Sequence, residues 1–236
     1  MANTQPTLCI DIGGTGLKLM VVSHQGKALT ERYRVETPQP ATPSAVLKAL
    51  KGLLAQVKTP YARVSVGFPG VVVDSTVQTA PNLHASFTAF PLGKAIAKLT
   101  GRPTRVLNDA GVQGHGVIQG RGTELCITLG TGFGFALYVN GVYVPNLEMA
   151  HHPFRDGYTY EEYVGNAAFE AVGKKKWNKR VRRVVRQLEP IFNYRVLYVG
   201  GGNAKKLEVD LPTNVKRVEN LAGLLGGVRL WEHEAG

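Results

Sequence analysis

The sequence predicts an α/β protein with two similar lobes, and three features of the chain support this prediction. Apolar strand-like segments alternate with amphipathic helical segments along its whole length. The opening strand and glycine-rich turn, Leu8 to Thr15, recur in altered form near the midpoint as Leu125 to Gly132. The chain has 236 residues, 44% of them hydrophobic, which is enough to fill a sizeable core. One lobe for each copy of the repeat follows from these features.

Both copies of the repeat consist of a short apolar strand, a turn of glycine and threonine, and a second apolar strand. Glycine lets backbone amides come close to a ligand, and successive amides with threonine hydroxyls form a pocket for an anion such as phosphate. We therefore expect the two lobes to grip a phosphate chain in the cleft between them. The copies differ where Asp11 and Lys18 of the first correspond to Thr128 and Phe135 of the second.

Local patterns define the elements of the first half. They are, in chain order, a hairpin over residues 7–22, a third strand over 27–35, a helix over 42–57, a strand over 63–67, a helix over 91–100 and a strand over 104–107. The first helix has an apolar stripe at helical spacing, and the second is stopped by Gly101 and Pro103. The pair Asn108-Asp109 lies where the last strand gives way to a helix interrupted by glycines.

The second half repeats this scheme and ends with a strand over 196–199 and a helix over 221–234. Its most unusual segment is a predicted helix with eight cationic side chains and no acidic residue between Ala171 and Leu188. Four apolar residues form a packing seam along the same helix. The cations are Lys174, Lys175, Lys176, Lys179, Arg180, Arg182, Arg183 and Arg186, and the seam residues are Trp177, Val181, Val184 and Leu188.

Composition indicates a cytoplasmic protein that is not attached to a membrane. No segment approaches the roughly 20 apolar residues that span a bilayer. The first residues lack the basic region and apolar stretch of a secretory signal. The cysteines, Cys9 and Cys126, occupy equivalent places in the repeated strands, and we expect both to be buried and reduced.

A series of motifs runs along the chain in a specific order. These motifs are Asp11-x-Gly13-Gly14-Thr15-x-x-Lys18, Gly67-Phe68-Pro69-Gly70, Asn82, Asn108-Asp109-Ala110, Gly130-Thr131-Gly132-Phe133-Gly134, Glu148-x-x-His151 and Gly200-Gly201-Gly202-Asn203. Each glycine-rich motif is weak evidence alone, but the order and spacing of the series are specific. From Thr7 to about Leu230 the chain resembles the ROK sugar kinases (repressor, open reading frame, kinase), members of the actin/hexokinase-type ATPase superfamily.

The resemblance implies a two-lobed actin/hexokinase-like fold, of the ribonuclease H-like type, with the active site in the interlobe cleft. It places the N-terminal lobe at residues 1–107 and the C-terminal lobe at 108–220. The last helix, within 221–236, is expected to pack back on the N-terminal lobe. The resemblance also implies a kinase that phosphorylates the 6-hydroxyl of glucose, and a homodimer is in keeping with the family.

The resemblance gives Asp109 the role of catalytic base. Phosphoryl transfer to a sugar hydroxyl needs a carboxylate that accepts the proton as the oxygen attacks. From the residues alone, Asp109 is equally a cap for the helix that begins at Ala110. The candidates for holding the sugar are Asn82, Asn108, Asp109, Glu148 and His151. Simpler alternatives are a loop-stabilising role for Asn82 and a surface position for His151.

The phosphate donor is expected to contact glycine-rich segments of both halves. These residues are Asp11, Gly13, Gly14, Thr15, Lys18, Gly130, Thr131, Gly132, Gly201, Gly202 and Asn203, with the last three near an adenosine. Asp11 is expected to organise Mg²⁺ through water, because this ion prefers oxygen ligands and keeps several waters.

Zinc is not expected, although many ROK proteins hold a structural zinc ion through a cysteine-rich segment after Glu-x-x-His. The corresponding segment, Pro153 to Tyr160, contains no cysteine, and His151 with His152 cannot form a four-ligand site alone. In this respect the chain is similar to the short, zinc-free polyphosphate glucokinase branch of the family.

Three functional hypotheses follow from these observations. The first is a glucokinase that uses polyphosphate, ATP or both, and the second is an ATP-dependent kinase for another hexose. The third is a sugar-responsive repressor, which is disfavoured because family repressors carry a DNA-binding domain before the Asp-x-Gly-Gly-Thr motif, and only ten residues precede Asp11.

The charge of the chain bears on the donor. The net charge is +11, and the basic helix at 174–186 is either a polyanion-binding surface or a solvated face. Inorganic polyphosphate suits the first alternative, since it is both a polyanion and a phosphoryl donor. No specific nucleic-acid partner is expected.

Overall fold

The computed structural model describes residues 5–218 and 222–232, and their contacts divide the chain into two compact units. The first unit contains the described residues up to Gly116 together with those from Gly223 onward, and the second is Val117–Ala222. The lobe boundaries predicted from the sequence, at residues 108 and 221, stay predictions, and Leu221 lies outside the described residues. No helix within the described parts of the chain has both the length and the apolar character needed to cross a membrane.

The first unit is built on a five-stranded sheet in the order β3-β2-β1-β4-β7. Its elements are β1 (Thr7–Ile12), β2 (Gly16–Val22), β3 (Tyr33–Glu36), α1 (Pro43–Leu54), β4 (Arg63–Phe68), the short pair β5 (Val72–Val73) and β6 (Thr76–Val77), a 3₁₀ turn (Ala85–Phe87), α2 (Leu92–Thr100), β7 (Thr104–Asn108) and α3 (Asp109–His115). The three strands β1, β4 and β7 are mutually parallel, whereas β2 and β3 are antiparallel to their neighbours.

Capping residues mark the start of α1 and the end of α2. The Thr42 hydroxyl accepts a hydrogen bond from Ala45 N at 3.3 Å, and Pro43 occupies the first turn of α1, where its missing N–H costs nothing. Helix α2 ends at Gly101, whose φ of 66° is the left-handed conformation that glycine adopts easily. The inward face of α1 buries Val46, Leu50 and Leu53, so the predicted apolar stripe is confirmed.

The second unit repeats the sheet of the first, in the order β10-β9-β8-β13-β14. Its elements are β8 (Thr123–Leu129), β9 (Phe133–Val139), β10 (Val142–Val144), a 3₁₀ turn (Met149–His151), β11 (Pro153–Arg155), β12 (Tyr158–Thr159), α4 (Tyr160–Val164), α5 (Asn166–Phe192), β13 (Val196–Gly200), a 3₁₀ turn (Ala204–Lys206) and β14 (Val215–Arg217). Strands β8, β13 and β14 are parallel, as β1, β4 and β7 are in the first unit. The predicted internal repeat is therefore a repeated sheet.

The longest helix, α5, is interrupted near its start and then packs firmly. Gly173 has a φ of 74°, so the helical backbone breaks there before the basic segment begins. Beyond the break the predicted seam is completely buried, and Trp177 Nε1 donates to Val164 O at 2.8 Å. The seam therefore fixes which side of this helix faces outward.

Helix α6 (Ala222–Arg229) packs within the first unit against α3 and the central strands. A Cβ atom on Gly226 would lie 1.8 Å from the Val112 carbonyl oxygen, so the two backbones touch. Gly227 O accepts a hydrogen bond from the Ser65 hydroxyl, and Arg229 Nη1 donates to His115 O at 3.0 Å. These contacts hold α3 at its middle and at its C-terminal end.

Three local predictions differ from the structure. The first helix ends at Leu54 rather than at residue 57, because the chain continues as a turn in which Val57 N donates to Leu54 O at 3.1 Å. The third strand begins at Tyr33 rather than Lys27, because Ser23 to Lys27 form a tight turn closed by a hydrogen bond from Ser23 N to Lys27 O at 2.8 Å. The last helix ends at Arg229 rather than at Glu234, and residues 233–236 lie outside the described part of the chain.

Replacing Gly226 by alanine is expected to lower the free energy of unfolding by roughly 1–3 kcal/mol or more, because a methyl group cannot fit against Val112 O. Urea denaturation of the purified variant measures this change. At Gly52, in α1, an added methyl group would have no other atom within 4 Å. Gly52→Ala is therefore the matched control and is expected to stabilise by up to about 1 kcal/mol. Equal effects of the two substitutions would contradict the close packing of α6 on α3.

Candidate active site

The polar motifs of the first unit follow the carboxyl ends of three adjacent parallel strands. Asp11 of β1 is aligned with Gly67 of β4, which in turn is aligned with Leu107 of β7. The chain turns directly after each of these positions. The glycine turn after β1, the Phe68-Pro69-Gly70 turn and the Asn108-Asp109 pair therefore share one edge of the sheet, where open α/β sheets bind ligands.

The first glycine turn is closed by its own backbone and supported by a neighbouring loop. Gly13 N donates to Gly16 O at 3.0 Å, and the Thr37 hydroxyl donates to Gly13 O at 2.5 Å. A Cβ atom on Gly14 would lie 3.1 Å from the Asn82 carbonyl oxygen. The structure therefore brings Asn82 against the predicted phosphate turn.

Asp11 and Lys18 face each other across the β1–β2 hairpin. Lys18 Nζ donates to Asp11 Oδ2 at 2.8 Å, and about a third of each side chain is exposed. The pair is thus accessible from the sheet edge, and its solvent exposure limits its contribution to stability to about 0–1 kcal/mol.

Asn108, rather than Asp109, is the residue that caps the N-terminus of α3. Its Oδ1 accepts from Ala110 N at 2.9 Å and from Gly111 N at 3.3 Å, which makes Asn108 the N-cap of α3. Its Nδ2 donates to Gly70 O at 3.2 Å. Asp109 is the first residue of α3, and its Oδ1 accepts from Ala110 N at 2.8 Å. The role of helix cap therefore falls to Asn108, which places Asp109 at the sheet edge.

The second glycine turn, in the second unit, is one residue shorter than the first. Gly130 N donates to Gly132 O at 3.1 Å, and the register pairs Thr128 with Gly134. Phe135, which linear comparison with the first copy matches to Lys18, is paired with Ile127 and buried in the core. The second turn therefore has no counterpart of the Asp11–Lys18 ion pair.

A carboxylate from another element approaches this second turn instead. Glu161 Oε2, at the start of α4, accepts from Phe133 N at 3.1 Å. A Cβ atom on Gly132 would lie 2.0 Å from the same oxygen, so any side chain at this position would displace the Glu161 carboxylate. The backbone of the turn also meets the start of α5, where Asn166 N donates to Thr131 O at 3.2 Å.

The loop after β13 lies beside the second turn. A Cβ atom on Gly201 would lie 2.4 Å from Leu129 O, and the φ of this residue is 87°, so the position requires glycine. The buried Asn203 side chain donates to Gly130 O at 3.3 Å and to Asn166 Oδ1 at 3.0 Å. The predicted groups at 130–132 and 201–203 are thus joined by hydrogen bonds.

Glu148 precedes the short 3₁₀ turn at Met149–His151, and His151 is its last residue. Burial raises the pKa of the Glu148 carboxyl, the neighbouring His151 lowers it, and the neighbouring Glu161 raises it further. The 3₁₀ turn packs against α4, the helix that carries Glu161. Glu148 therefore lies on an element that is adjacent to Glu161 in the second unit.

No group of three or more His, Cys, Asp or Glu side chains suited to a metal ion is found among residues 5–218 and 222–232. Both cysteines are buried, and burial raises the pKa of the Cys9 thiol to about 12, with Arg63 lowering it. The predicted burial of the two cysteines is thus confirmed, and their reduced state stays a prediction. The expected absence of zinc stays a prediction.

Comparison with known proteins identifies the family. The family model described as "ROK family" matches residues 7–145. The chain belongs to the ROK family.

Relatives in this family cover nearly the whole chain. The polyphosphate glucokinase of Mycobacterium leprae is 33% identical over 92% of this chain and 72% of its own length. The polyphosphate glucokinase of Mycobacterium tuberculosis is 32% identical over 92% of this chain and 88% of its own length. The inorganic polyphosphate/ATP-glucomannokinase of Arthrobacter sp. strain KM has 33% identity and a TM-score of 0.88, over 97% of this chain and 99% of that one. The predicted ROK α/β fold is confirmed.

The sequence analysis did not predict the position of Glu161 beside the second glycine turn. Glu161 follows Tyr160 in an ordinary acidic helix start, since Thr159 caps α4 and Glu162 completes the capping box. The capping box accounts for Glu162 but not for Glu161. An acidic residue that the cap does not use is the one sequence signal for Glu161, and its position against Gly132 depends on tertiary packing.

Replacing Asn108 by alanine is expected to lower the free energy of unfolding by about 1–2 kcal/mol, because α3 loses its cap and Gly70 O loses its donor. Chemical denaturation measures the change. The exposed Gln56→Ala variant is the control and is expected to change stability by less than about 0.5 kcal/mol. Unchanged stability of the Asn108 variant, with sugar affinity alone reduced, would limit Asn108 to ligand contact.

Proposed function

We propose that the protein is a glucokinase that transfers the terminal phosphoryl group of polyphosphate, ATP or both to the 6-hydroxyl of glucose. The observation that carries this proposal is the position of Asp109, at the carboxyl end of β7 and next to the capping residue Asn108. The two Mycobacterium relatives are polyphosphate glucokinases, and the Arthrobacter relative uses polyphosphate or ATP. Both donors are therefore retained in the proposal.

In this reaction Asp109 accepts the proton of the 6-hydroxyl as its oxygen attacks the terminal phosphorus. A bond forms between that oxygen and phosphorus, and the bond from phosphorus to the bridging oxygen of the donor breaks. The leaving group is a polyphosphate shortened by one unit, or ADP. Because the protein forms no covalent bond to the transferred phosphoryl group, catalysis consists mostly of alignment of the reactants and stabilisation of the charge that develops.

Sugar binding is assigned to Asn82, Asn108, Glu148 and His151, to which we add Glu161. Carboxylate and amide groups recognise hydroxyls by paired hydrogen bonds, and a site built this way discriminates strongly against analogues lacking the hydroxyl. Burial raises the pKa of Glu148, and His151 and Glu161 act on the same carboxyl. This arrangement supports a shared role for the three residues.

Donor phosphates are assigned to the two glycine turns, with Lys18 near the first and Asn203 near the second. Asp11 suits Mg²⁺, because this ion is usually held by one or two carboxylates together with substrate phosphates rather than by a protein cage. Lys18 Nζ donates to Oδ2 of Asp11, and no hydrogen bond to Oδ1 is found among the residues that the structure describes. When bound, the ion would neutralise charge on the donor phosphates. A cytoplasmic location and a homodimer remain part of the proposal.

Replacing Asp109 by asparagine is expected to reduce turnover by roughly 10²-fold or more, because the amide cannot accept the proton. Glucose affinity should remain similar, since asparagine keeps the size and much of the hydrogen bonding. Steady-state assays with Mg²⁺ and each donor, together with calorimetric titration of glucose, measure the two effects.

The control for this variant is Asp210→Asn, which removes an exposed carboxylate from a loop before β14 and should leave turnover unchanged. Near-native turnover of the Asp109 variant would show that another group is the base. A wild-type enzyme that phosphorylates glucose with neither donor would overturn the proposed function itself.

A further inference from the structure

The basic segment of α5 has eight cationic side chains, and the structure divides them into two groups. Three are engaged by the protein. Lys174 forms an ion pair with Glu208. Arg180 lies over the rings of Tyr163, at 4.6 Å, and Tyr158, at 5.6 Å. Arg183 Nη1 donates to the Tyr163 hydroxyl at 2.9 Å. Arg180 and Arg183 thus hold α5 against α4 and β12, and Lys174 holds it against the loop that follows the 3₁₀ turn at 204–206.

The other five cations, Lys175, Lys176, Lys179, Arg182 and Arg186, are exposed, and no hydrogen bond, ion pair or ring contact is found for them among the described residues. Four of them have the spacing of one helix face, since they are separated by four, three and four residues. We call Lys175, Lys179, Arg182 and Arg186 the basic row. At 1.5 Å per residue the basic row is about 16 Å long.

The buried side of α5 keeps the basic row in one orientation. Trp177, Val181, Val184 and Leu188 are fully buried, and the side chain of Asn178 is almost fully buried as well. Rotation of the helix about its axis would expose the indole and these aliphatic groups to water. The backbone positions of the basic row are therefore fixed on the outward face of the helix.

Asn178 connects the start of the basic row to the predicted donor loops. Its Nδ2 donates to Lys174 O at 2.9 Å and to Lys206 O at 3.1 Å, and its Oδ1 accepts from Glu208 N at 2.7 Å. Lys206 ends the 3₁₀ turn that follows Asn203, and Asn203 in turn donates to Gly130 O. A continuous set of contacts in the second unit thus joins the second glycine turn to the basic row.

Lys205 extends the charge between these two places. It belongs to the same 3₁₀ turn as Lys206 and is exposed. The neighbouring Lys206 is engaged, with its Nζ 3.7 Å from the centre of the Phe169 ring. Exposed positive charge therefore begins next to the Gly201-Gly202-Asn203 loop and continues along α5.

We propose that Lys205 and the basic row bind the distal part of a linear polyphosphate chain whose terminal end lies at the second glycine turn. This inference rests on the proposed kinase function and adds an extended donor subsite to it. A row of about 16 Å with one cation per helical turn matches a ligand with evenly repeated negative charge. The triphosphate of ATP has only three phosphate units, so we expect it to engage far less of the row than a long polyphosphate chain does.

The chemistry of the row favours polyphosphate over nucleic acid. Proteins that bind single-stranded nucleic acids combine positive charge with exposed aromatic rings on which bases stack. Trp177 is the only aromatic residue between Lys174 and Ile191, and it is fully buried. The row therefore presents charge without stacking surfaces.

The test uses a variant in which all four residues of the basic row are changed to glutamine, so that Lys175→Gln, Lys179→Gln, Arg182→Gln and Arg186→Gln are combined. The matched control changes four exposed lysines of α1 and α2 and has the same net charge. Its substitutions are Lys48→Gln, Lys51→Gln, Lys94→Gln and Lys98→Gln. Both variants leave the predicted sugar and catalytic residues untouched.

Two measurements are made on wild type and both variants. The first is equilibrium binding of fluorescently labelled long-chain polyphosphate at several salt concentrations without glucose. The second is the KM for long-chain polyphosphate, tripolyphosphate and ATP in glucose phosphorylation. The row variant is expected to bind long-chain polyphosphate at least about tenfold more weakly, with a flatter salt dependence, since each lost phosphate contact removes about 0.7 from the slope.

The KM for ATP and for tripolyphosphate should change by less than about twofold in the row variant, because screened charges far from a short ligand contribute little. The control variant should change all three KM values equally and slightly. Equal behaviour of the two variants would overturn the subsite, and so would a parallel rise in the KM for ATP. Equally tight binding of a single-stranded oligonucleotide would overturn the assignment to polyphosphate.

These outcomes are separable from failure of the proposed function. If wild type phosphorylates glucose with neither donor, the kinase proposal fails, whatever the binding result. If wild type is active and the row variant keeps its full affinity for long-chain polyphosphate, only the subsite fails. Thermal unfolding of both variants shows whether they are folded, and relief of repulsion between like charges should keep the row variant at least as stable as wild type.

Discussion

The side chain of Asn108 makes the hydrogen bonds on which the geometry of the first unit's sheet edge depends. Its oxygen accepts two backbone N–H groups of α3, and its amide nitrogen donates to Gly70 O. The first contact fixes where α3 begins, and the second ties that point to the turn after β4. Because Asp109 is the next residue, the position of its carboxylate follows from a cap made by its neighbour. Asn108 thus links the fold of the strand edge to the chemistry proposed for Asp109.

The two units use one sheet design but obtain their acidic groups from different places. In the first unit, Asp11 and Lys18 are opposite each other on adjacent strands of the hairpin. The second hairpin has a shorter turn, so Thr128 is opposite Gly134 and no ion pair can form there. Glu161 from α4 supplies a carboxylate beside that turn instead. The carboxylate beside the turn therefore comes from a strand in the first unit and from a helix in the second, because the strand position of Asp11 is held by the uncharged Thr128 in the second unit.

Much of the fold was predictable because its signals are local. The apolar stripe of α1, the Gly101 stop of α2 and the seam of α5 are all written in short windows of sequence, and each is present in the structure. The capping role of Asn108 was not predicted, since either member of the Asn-Asp pair suits an N-cap. Glu161 was missed for a related reason, because its contact with Phe133 joins residues 28 positions apart.

Helix α5 keeps its structure although the like charges on its outer face repel each other. Neighbouring like charges one helical turn apart repel each other and weaken an isolated helix. Here the opposite side contributes buried aliphatic groups, a fully buried indole and the three hydrogen bonds of Asn178. Packing of that kind determines most helical stability in proteins. The stability of the helix does not depend on its outer face, so the repulsion between the cations of the row persists in the folded chain. A bound anion relieves this repulsion, and the relief contributes to its affinity.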